Sequence, residues 1–251
     1  MPADPAAGAE PFASSDGPAG VLLLHGYTGS PRSMRPLAEA CADAGLSVEL
    51  PLLPGHGTSP ADLATTRFDD WLAAADAAYA SLAARTDRTA IAGLSMGGAL
   101  ALALARAHRQ CSGLVLVNPL AKPPAPEFVD LLRASLAAGV TMLPSIGSDI
   151  AKPGVSGGGY AKTPIAPLVS LFEAVAAAED ALGEVTCPVL LFSSRVDHIV
   201  PPESGELLER ALGGPLERVV LESSFHVATL DHDAAEIEAR AVGFLQKLMV
   251  A

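Results

Sequence analysis

Ser95 stands in the run Gly-Leu-Ser-Met-Gly (93–97), where the apolar stretch "TAIAGL" meets an alanine- and leucine-rich segment beginning at Met96. Packing alone gives a hydroxyl no reason to sit at a buried strand-to-helix turn. A serine hydroxyl is a weak nucleophile near neutral pH, so reaction requires a base to take its proton and an acid to orient that base. Two later loops offer them. "FSSRVDHIVPP" places Asp197 just after a late apolar run, and "ESSFHVATLD" places His226 just after the last one. Ser, then Asp, then His is the chain order expected where a Gly-x-Ser-x-Gly turn joins a strand to a helix. Such a set performs acyl transfer through a covalent serine intermediate.

Each assignment has a rival. Ser95 would also suit a helix-capping residue, since serine caps many helices. His232 falls beside the start of the final helix and reads as solvated, while His198 reads as an outer or exposed neighbour of Asp197. His25 and His56 lie in "HG" turns and read as loop organisers, and His108 ends a helix, where the dipole favours a cation. Among the acids, Glu203 and Asp231 compete with Asp197, which wins on its position after a strand. A developing oxyanion needs two donors. The amide of Met96, directly after the serine, is one, and the amide of Tyr27 in "HGYTGSP" is the other.

The elements that must hold these groups are legible as alternating short β-prone runs and helical stretches. Strands are expected at 20–26, 46–53, 89–95, 113–118, 188–194 and 217–223. Helices are expected near 33–44, 69–85, 96–108, 203–212 and 233–248. Strands apolar on both faces and alternating with helices specify an α/β fold, a mostly parallel central sheet flanked by helices. In such sheets chemistry collects beyond the carboxyl ends of the strands, which is where Tyr27, Ser95, Asp197 and His226 fall.

Residues 1–20, rich in Pro, Ala, Gly and Asp, read as a flexible or loosely docked leader without the basic start and apolar stretch of a secretory signal. The core is expected over 21–118 and 186–251. Between them, 119–185 breaks the rhythm, with helical stretches near 128–138 and 166–181, and is expected to be a helical cap. Its apolar residues Phe128, Leu131, Leu132, Leu143, Ile146, Leu168, Leu171 and Phe172 suggest an acyl-chain pocket, with Ile146, Leu171 and Phe172 as substrate contacts. The catalytic motifs lie outside this segment, so the cap is expected to select the acyl chain rather than to take part in the chemistry.

The chain has 251 residues, 50% of them hydrophobic, enough for one sizeable core. Its formal charge of −12, from 16 basic and 28 acidic side chains, argues against nucleic acid and anionic lipid surfaces as partners. Cys41, Cys111 and Cys187 are far apart in apolar surroundings and read as buried thiols without a disulfide. No Cys-x-x-Cys or His-Glu-x-x-His spacing points to a metal. No apolar stretch reaches transmembrane length uninterrupted. A cytoplasmic protein with no cofactor, a monomer or weak dimer acting on a small molecule, is the expectation.

The motifs "LLLHGYTGSP", "LPGHGTSP", "GLSMGG", "SSRVDHIVPP" and "SFHVATLD" resemble the α/β-hydrolase family, in particular bacterial carboxylesterases and monoacylglycerol lipases with a small helical cap. The resemblance runs from Val21 to the carboxyl end and is weakest across the cap, where "YAKTP" carries it. It implies Ser95 as nucleophile, Asp197 as acid, His226 as base and the amides of Tyr27 and Met96 as oxyanion hole. It also implies cleavage of carboxylic esters, short- to medium-chain acyl esters or monoacylglycerols. The same triad serves C–C bond hydrolases, acyltransferases and perhydrolases, so those reactions stay open at this point. "HGYTG" departs from the triple-glycine loop of another esterase branch, so bulky tertiary-alcohol esters are not implied.

Overall fold

The computed structural model describes residues 6–145 and 147–250. From the amino end the chain forms β1 (Phe12–Ser14), β2 (Ala19–Leu24), α1 (Arg35–Asp43), β3 (Ser47–Leu50), α2 (Pro60–Ala64), α3 (Phe68–Ala83), β4 (Arg88–Leu94), α4 (Met96–Ala107) and β5 (Leu114–Val117). The next segment holds α5 (Pro126–Ala137), β6 (Met142–Pro144), β7 (Lys162–Pro164) and α6 (Ile165–Ala178). The chain then returns through β8 (Val189–Ser194), α7 (Glu203–Ala211), β9 (Leu216–Leu221) and α8 (Ala234–Val250).

Seven strands form one sheet in the order β1-β3-β2-β4-β5-β8-β9, parallel throughout except for β1 against β3. The central strands β2, β4, β5 and β8 are buried on both faces because both are covered, whereas the edge strands β1 and β9 are partly exposed. Val21 and Leu23 of β2 face the layer containing Leu37, Ile237 and Leu245, whereas Leu22 and Leu24 face the layer containing Trp71, Tyr79 and Leu100. Alternate side chains of one strand thus enter two cores, as the pleat requires. Helix α3 buries Trp71, Ala75, Tyr79 and Leu82 at helical spacing.

The topology also positions the site. From β2 the chain moves to β3 on one side, and β4 returns to pair along the other side of β2, from Ala19↔Arg88 to Leu24↔Gly93. The loops leaving β2 and β4 therefore part at their carboxyl ends, opening the crevice where parallel α/β sheets bind ligands. Tyr27 follows β2 and Ser95 follows β4.

Three elements differ from the sequence expectation. Residues 12–14 of the leader form an edge strand, registered Phe12↔Leu50 to Ser14↔Val48. Arg35 secures this stretch, with its guanidinium 4.8 Å over the Phe12 ring and one nitrogen donating to Glu10 O at 2.7 Å. Three residues are too few to show a period, so the strand exists because the edge of β3 was available. The short helix α2 sits in the loop after β3, with Ser59 Oγ accepting from Asp62 N at 3.1 Å. Within 119–185, the two expected helices pack around Val129, Leu132, Ile165 and Val169, and β6 pairs with β7 in a two-stranded ladder between them.

Cys41 and Cys111 are buried free thiols, and Cys187 is half-buried and also free. Among the described residues no helix is long and apolar enough to cross a membrane.

Candidate active site

Ser95 stands at the amino end of α4 with φ 56° and ψ −116°, a left-handed geometry that costs a non-glycine residue about 1–3 kcal/mol. Its side chain makes no capping hydrogen bond, which removes the capping alternative. The strain is held by the backbone around it. Ser95 N donates to Val117 O at 3.1 Å, and Ser95 O accepts from Gly98, Ala99 and Leu120 amides at 2.9, 3.2 and 3.1 Å. The flanking glycines are required by close approach. A Cβ on Gly93 would lie 2.3 Å from Gly97 O, and one on Gly97 would lie 2.1 Å from Leu24 O.

His226, in the loop after β9, and Asp197, in the loop after β8, meet side chain to side chain. His226 Nδ1 lies 2.8 Å from Asp197 Oδ2, and the side chains are only 8% and 3% exposed. A carboxylate accepts, so Nδ1 carries the proton and Nε2 is left as the acceptor. Asp197 is fixed in turn, its Oδ1 accepting from the amides of Ile199 and Val200, both at 2.8 Å. Ser95 and His226 line the same cavity of about 340 Å³. An imidazole poised to take a proton, oriented by a buried acid and sharing a cavity with a serine hydroxyl, is equipped for nucleophilic acyl transfer.

The two amides expected to serve the oxyanion are oriented by their neighbours. Met96 opens α4, so its N–H has no partner within the helix and carries the positive end of the dipole. The peptide joining Gly26 to Tyr27 is held by its carbonyl, which accepts from Gly29 N at 3.2 Å and from His25 Nδ1 at 3.0 Å. Because the peptide is planar and trans, fixing that oxygen fixes the Tyr27 N–H on the opposite side. His25 Nε2 accepts from Leu53 N at 3.2 Å, so the ring is the neutral Nδ1–H tautomer. Its burial brings the pKa down to about 4. The Tyr27 hydroxyl takes no part, donating instead to Pro164 O at 2.7 Å. Burial holds that phenol above its ordinary pKa.

The segment 119–185 roofs this cavity. Phe128, Leu143, Leu168, Leu171 and Phe172 line it. Leu131 does not; it is 61% exposed, because the apolar set read from α5 is wider than the face that packs. Leu132 belongs instead to the small core between α5 and α6. Ile146 lies outside the described residues. Polar lining comes from Thr28, Ser33, Ser145, Ser148, Asp149 and His198. Tyr160 of "YAKTP" ties the segment to the loop after β3, donating to Gly55 O at 2.9 Å and accepting from Thr58 N at 2.8 Å.

Of the rival residues, His198 lines the cavity with its Nδ1 tied to Asp149 Oδ1 at 2.8 Å, and the others do not line it. His232 is exposed, and Glu203 is exposed at the start of α7. Asp231 has both oxygens engaged by backbone, accepting from Ala151, Lys152, Phe225 and His232 amides at 2.7–2.9 Å. Burial alone would push its carboxyl up, yet these amides outweigh burial and hold its pKa below the usual value.

Two groups escaped the sequence reading. Asn118, with φ 43°, donates from Nδ2 to His226 O at 2.8 Å and accepts at Oδ1 from Ser194 N at 2.7 Å, joining the ends of β5 and β8 to the histidine loop. Asp149 accepts at Oδ2 from the amides of His198 and His226, at 3.1 and 3.2 Å. An Asn directly after a strand was a weak signal for the first; nothing local marked the second.

The chain matches the alpha/beta hydrolase family over residues 21–240, and it belongs to that family. It is 42% identical to a thermostable monoacylglycerol lipase of Bacillus sp. (strain H-257), covering 96% of this chain and 95% of that protein. It is 25% identical to a carboxylesterase of Bacillus subtilis (strain 168), covering 95% of this chain and 97% of that one. Among solved structures, one from work on LipS and LipT, two metagenome-derived lipolytic enzymes, superposes with a TM-score of 0.92 at 41% identity, covering 97% of this chain and 100% of that chain.

Proposed function

We propose that the protein is a serine esterase that cleaves carboxylic esters through an acyl-enzyme. Ser95 attacks the ester carbonyl as His226 Nε2 takes its proton, and the amides of Tyr27 and Met96 receive the oxyanion. The imidazolium returns the proton to the leaving alkoxide, and Asp197 stabilises it through Nδ1. A water then repeats the cycle and frees the carboxylic acid, so every proton is accounted for without a metal or organic cofactor.

The observation that carries this reading is Ser95 itself, strained, uncapped and facing a cavity it shares with a histidine already bonded to a buried acid. The cavity also supports a substrate class. Leu168, Leu171 and Phe172 offer an acyl chain apolar burial, at about 0.8 kcal/mol per methylene. Thr28, Ser148 and His198 offer hydroxyl partners for an alcohol. Short- to medium-chain acyl esters and monoacylglycerols fit both, and the 42% identity to a monoacylglycerol lipase supports the second of them. The reading extends to a cytoplasmic enzyme, a monomer or weak dimer, that meets small ester substrates and not nucleic acid.

A panel of aryl esters and monoacylglycerols of graded acyl length tests the proposal. It expects turnover of both, with efficiency rising from acetate towards medium chains. Turnover of dienone acids without turnover of esters would overturn it in favour of C–C bond hydrolysis.

A further inference from the structure

Asp149 lies in the inserted segment between β6 and β7, far in sequence from the serine, the acid and the base. Its side chain is nonetheless 8% exposed and bonded into both loops that carry the acid and the base. One oxygen, Oδ2, accepts from His198 N, the amide directly after Asp197, at 3.1 Å, and from His226 N at 3.2 Å. The other oxygen meets His198 Nδ1 at 2.8 Å, and the carbonyl of Asp149 accepts from Val227 N at 3.0 Å. The His198 ring then stands edge-on to Phe225, with centroids 4.8 Å apart, closing a ring of contacts between the two loops. Immediately after Asp149, the amides of Ala151 and Lys152 donate to Asp231, so two carboxylates fasten the 149–152 strap over the histidine loop.

We propose that Asp149 is a positioning residue for the Asp197–His226 pair, so that the inserted segment sets the geometry of the chemistry as well as covering the substrate. A single oxygen bridging the amides of residues 198 and 226 fixes the spacing of the two backbones from which the acid and base project. The 2.8 Å bond between their side chains depends on that spacing. The bridging carboxylate is only 8% exposed, so an amide that lost it would be left with little water to replace the bond. The inference rests on the reading of Ser95, Asp197 and His226 as an acyl-transfer set, and it assigns Asp149 a role through His226 rather than on the substrate.

Because both bridging bonds use one oxygen, Asp149→Asn keeps them if its carbonyl takes the place of Oδ2, whereas Asp149→Ala loses them. The test is steady-state hydrolysis of a short aryl acetate, which does not need the acyl-binding surface, by the folded full chain. Asp149→Ala should lower kcat about 100-fold with KM little changed, the scale of loss that follows an ångström of misplacement. The rate of fluorophosphonate labelling should fall in proportion, and the low-field proton resonance of His226 Nδ1–H should move or broaden. Asp149→Asn should restore most of kcat. Asp149→Ser, whose hydroxyl is too short to span both amides, should behave as Asp149→Ala and serves if the alanine variant does not fold. A folded alanine or serine variant with unchanged kcat would overturn the inference. So would an asparagine variant as slow as alanine, since charge rather than position would then matter. Wild-type protein that neither hydrolyses the acetate nor takes the label would instead overturn the esterase reading on which this one rests.

Discussion

His226 and Asp197 hold one another across 2.8 Å in a pocket that leaves their side chains 8% and 3% exposed. A buried pair of this kind acts as a unit, so its members should not contribute additively. Asp197→Asn should lower kcat by about 10⁴-fold and His226→Ala by about 10⁴–10⁶-fold, and the double variant should be little slower than the worse single one. Asp231→Asn should instead lower the melting temperature, because an amide cannot accept from four N–H groups as the carboxylate does, with a smaller loss of turnover in the folded fraction. Kinetics of the four variants, with thermal melts alongside, check both statements.

Acid should unfold the protein through its buried histidines. His25 has its pKa brought down from 6.5 to about 4, and His56 is also held well below its ordinary value, chiefly by burial. Both are neutral when folded, and the unfolded chain binds protons first as pH falls. The stabilisation is therefore fully present above about 6.5 and is lost progressively down to about 4, amounting to about 3 kcal/mol for His25 alone. Denaturant melts from pH 7.5 to 4 should show stability falling with acidification across this window. A flat profile would contradict the assignment of neutral, buried rings.

Chain-length selection should reside in the roof and in Leu120. Leu120 lines both the 340 Å³ cavity and a second, apolar one of about 200 Å³ between α3, α4 and α6. Leu120→Ala should join the two and move the preferred acyl length upward. Phe172→Ala should alter discrimination between long and short chains by about 1–3 kcal/mol, the usual scale for apolar pocket contacts. Efficiency profiles over a series of aryl esters read both effects as ratios. Uniform change at every length would contradict a selecting role.

The turn at Ser95 should not tolerate a methyl group beneath it. A Cβ on Gly97 would lie 2.1 Å from Leu24 O and 2.9 Å from His25 O, both backbone atoms that cannot swing away. Gly97→Ala should therefore push α4 off the end of β2, displace the Met96 amide and remove most activity even where the variant folds. Turnover together with far-ultraviolet circular dichroism separates the catalytic effect from unfolding.

Much of this was legible in the sequence because it is written locally. Doubly apolar runs such as Val21–Leu24 specify buried parallel strands, and the glycines around Ser95 mark a tight crossing. Asp197 comes three residues after such a run, and His226 five residues after the last strand. What the sequence hid depends on partners far along the chain. Phe12–Ser14 becomes a strand only because β3 offers an edge. Asp149 sits in a stretch without periodicity, and its meaning comes from amides 49 and 77 residues away. Leu131 was misjudged for the opposite reason: helical spacing identifies a face of α5 but not how much of that face is covered.

The central claim is that Ser95 becomes acylated. Mass spectrometric mapping after reaction with a fluorophosphonate tests it most directly. The account predicts one adduct per chain, located on Ser95, with labelling and nearly all turnover lost in Ser95→Ala. An adduct mapped to another serine, or a Ser95→Ala protein that still turns over esters at the wild-type rate, would contradict it.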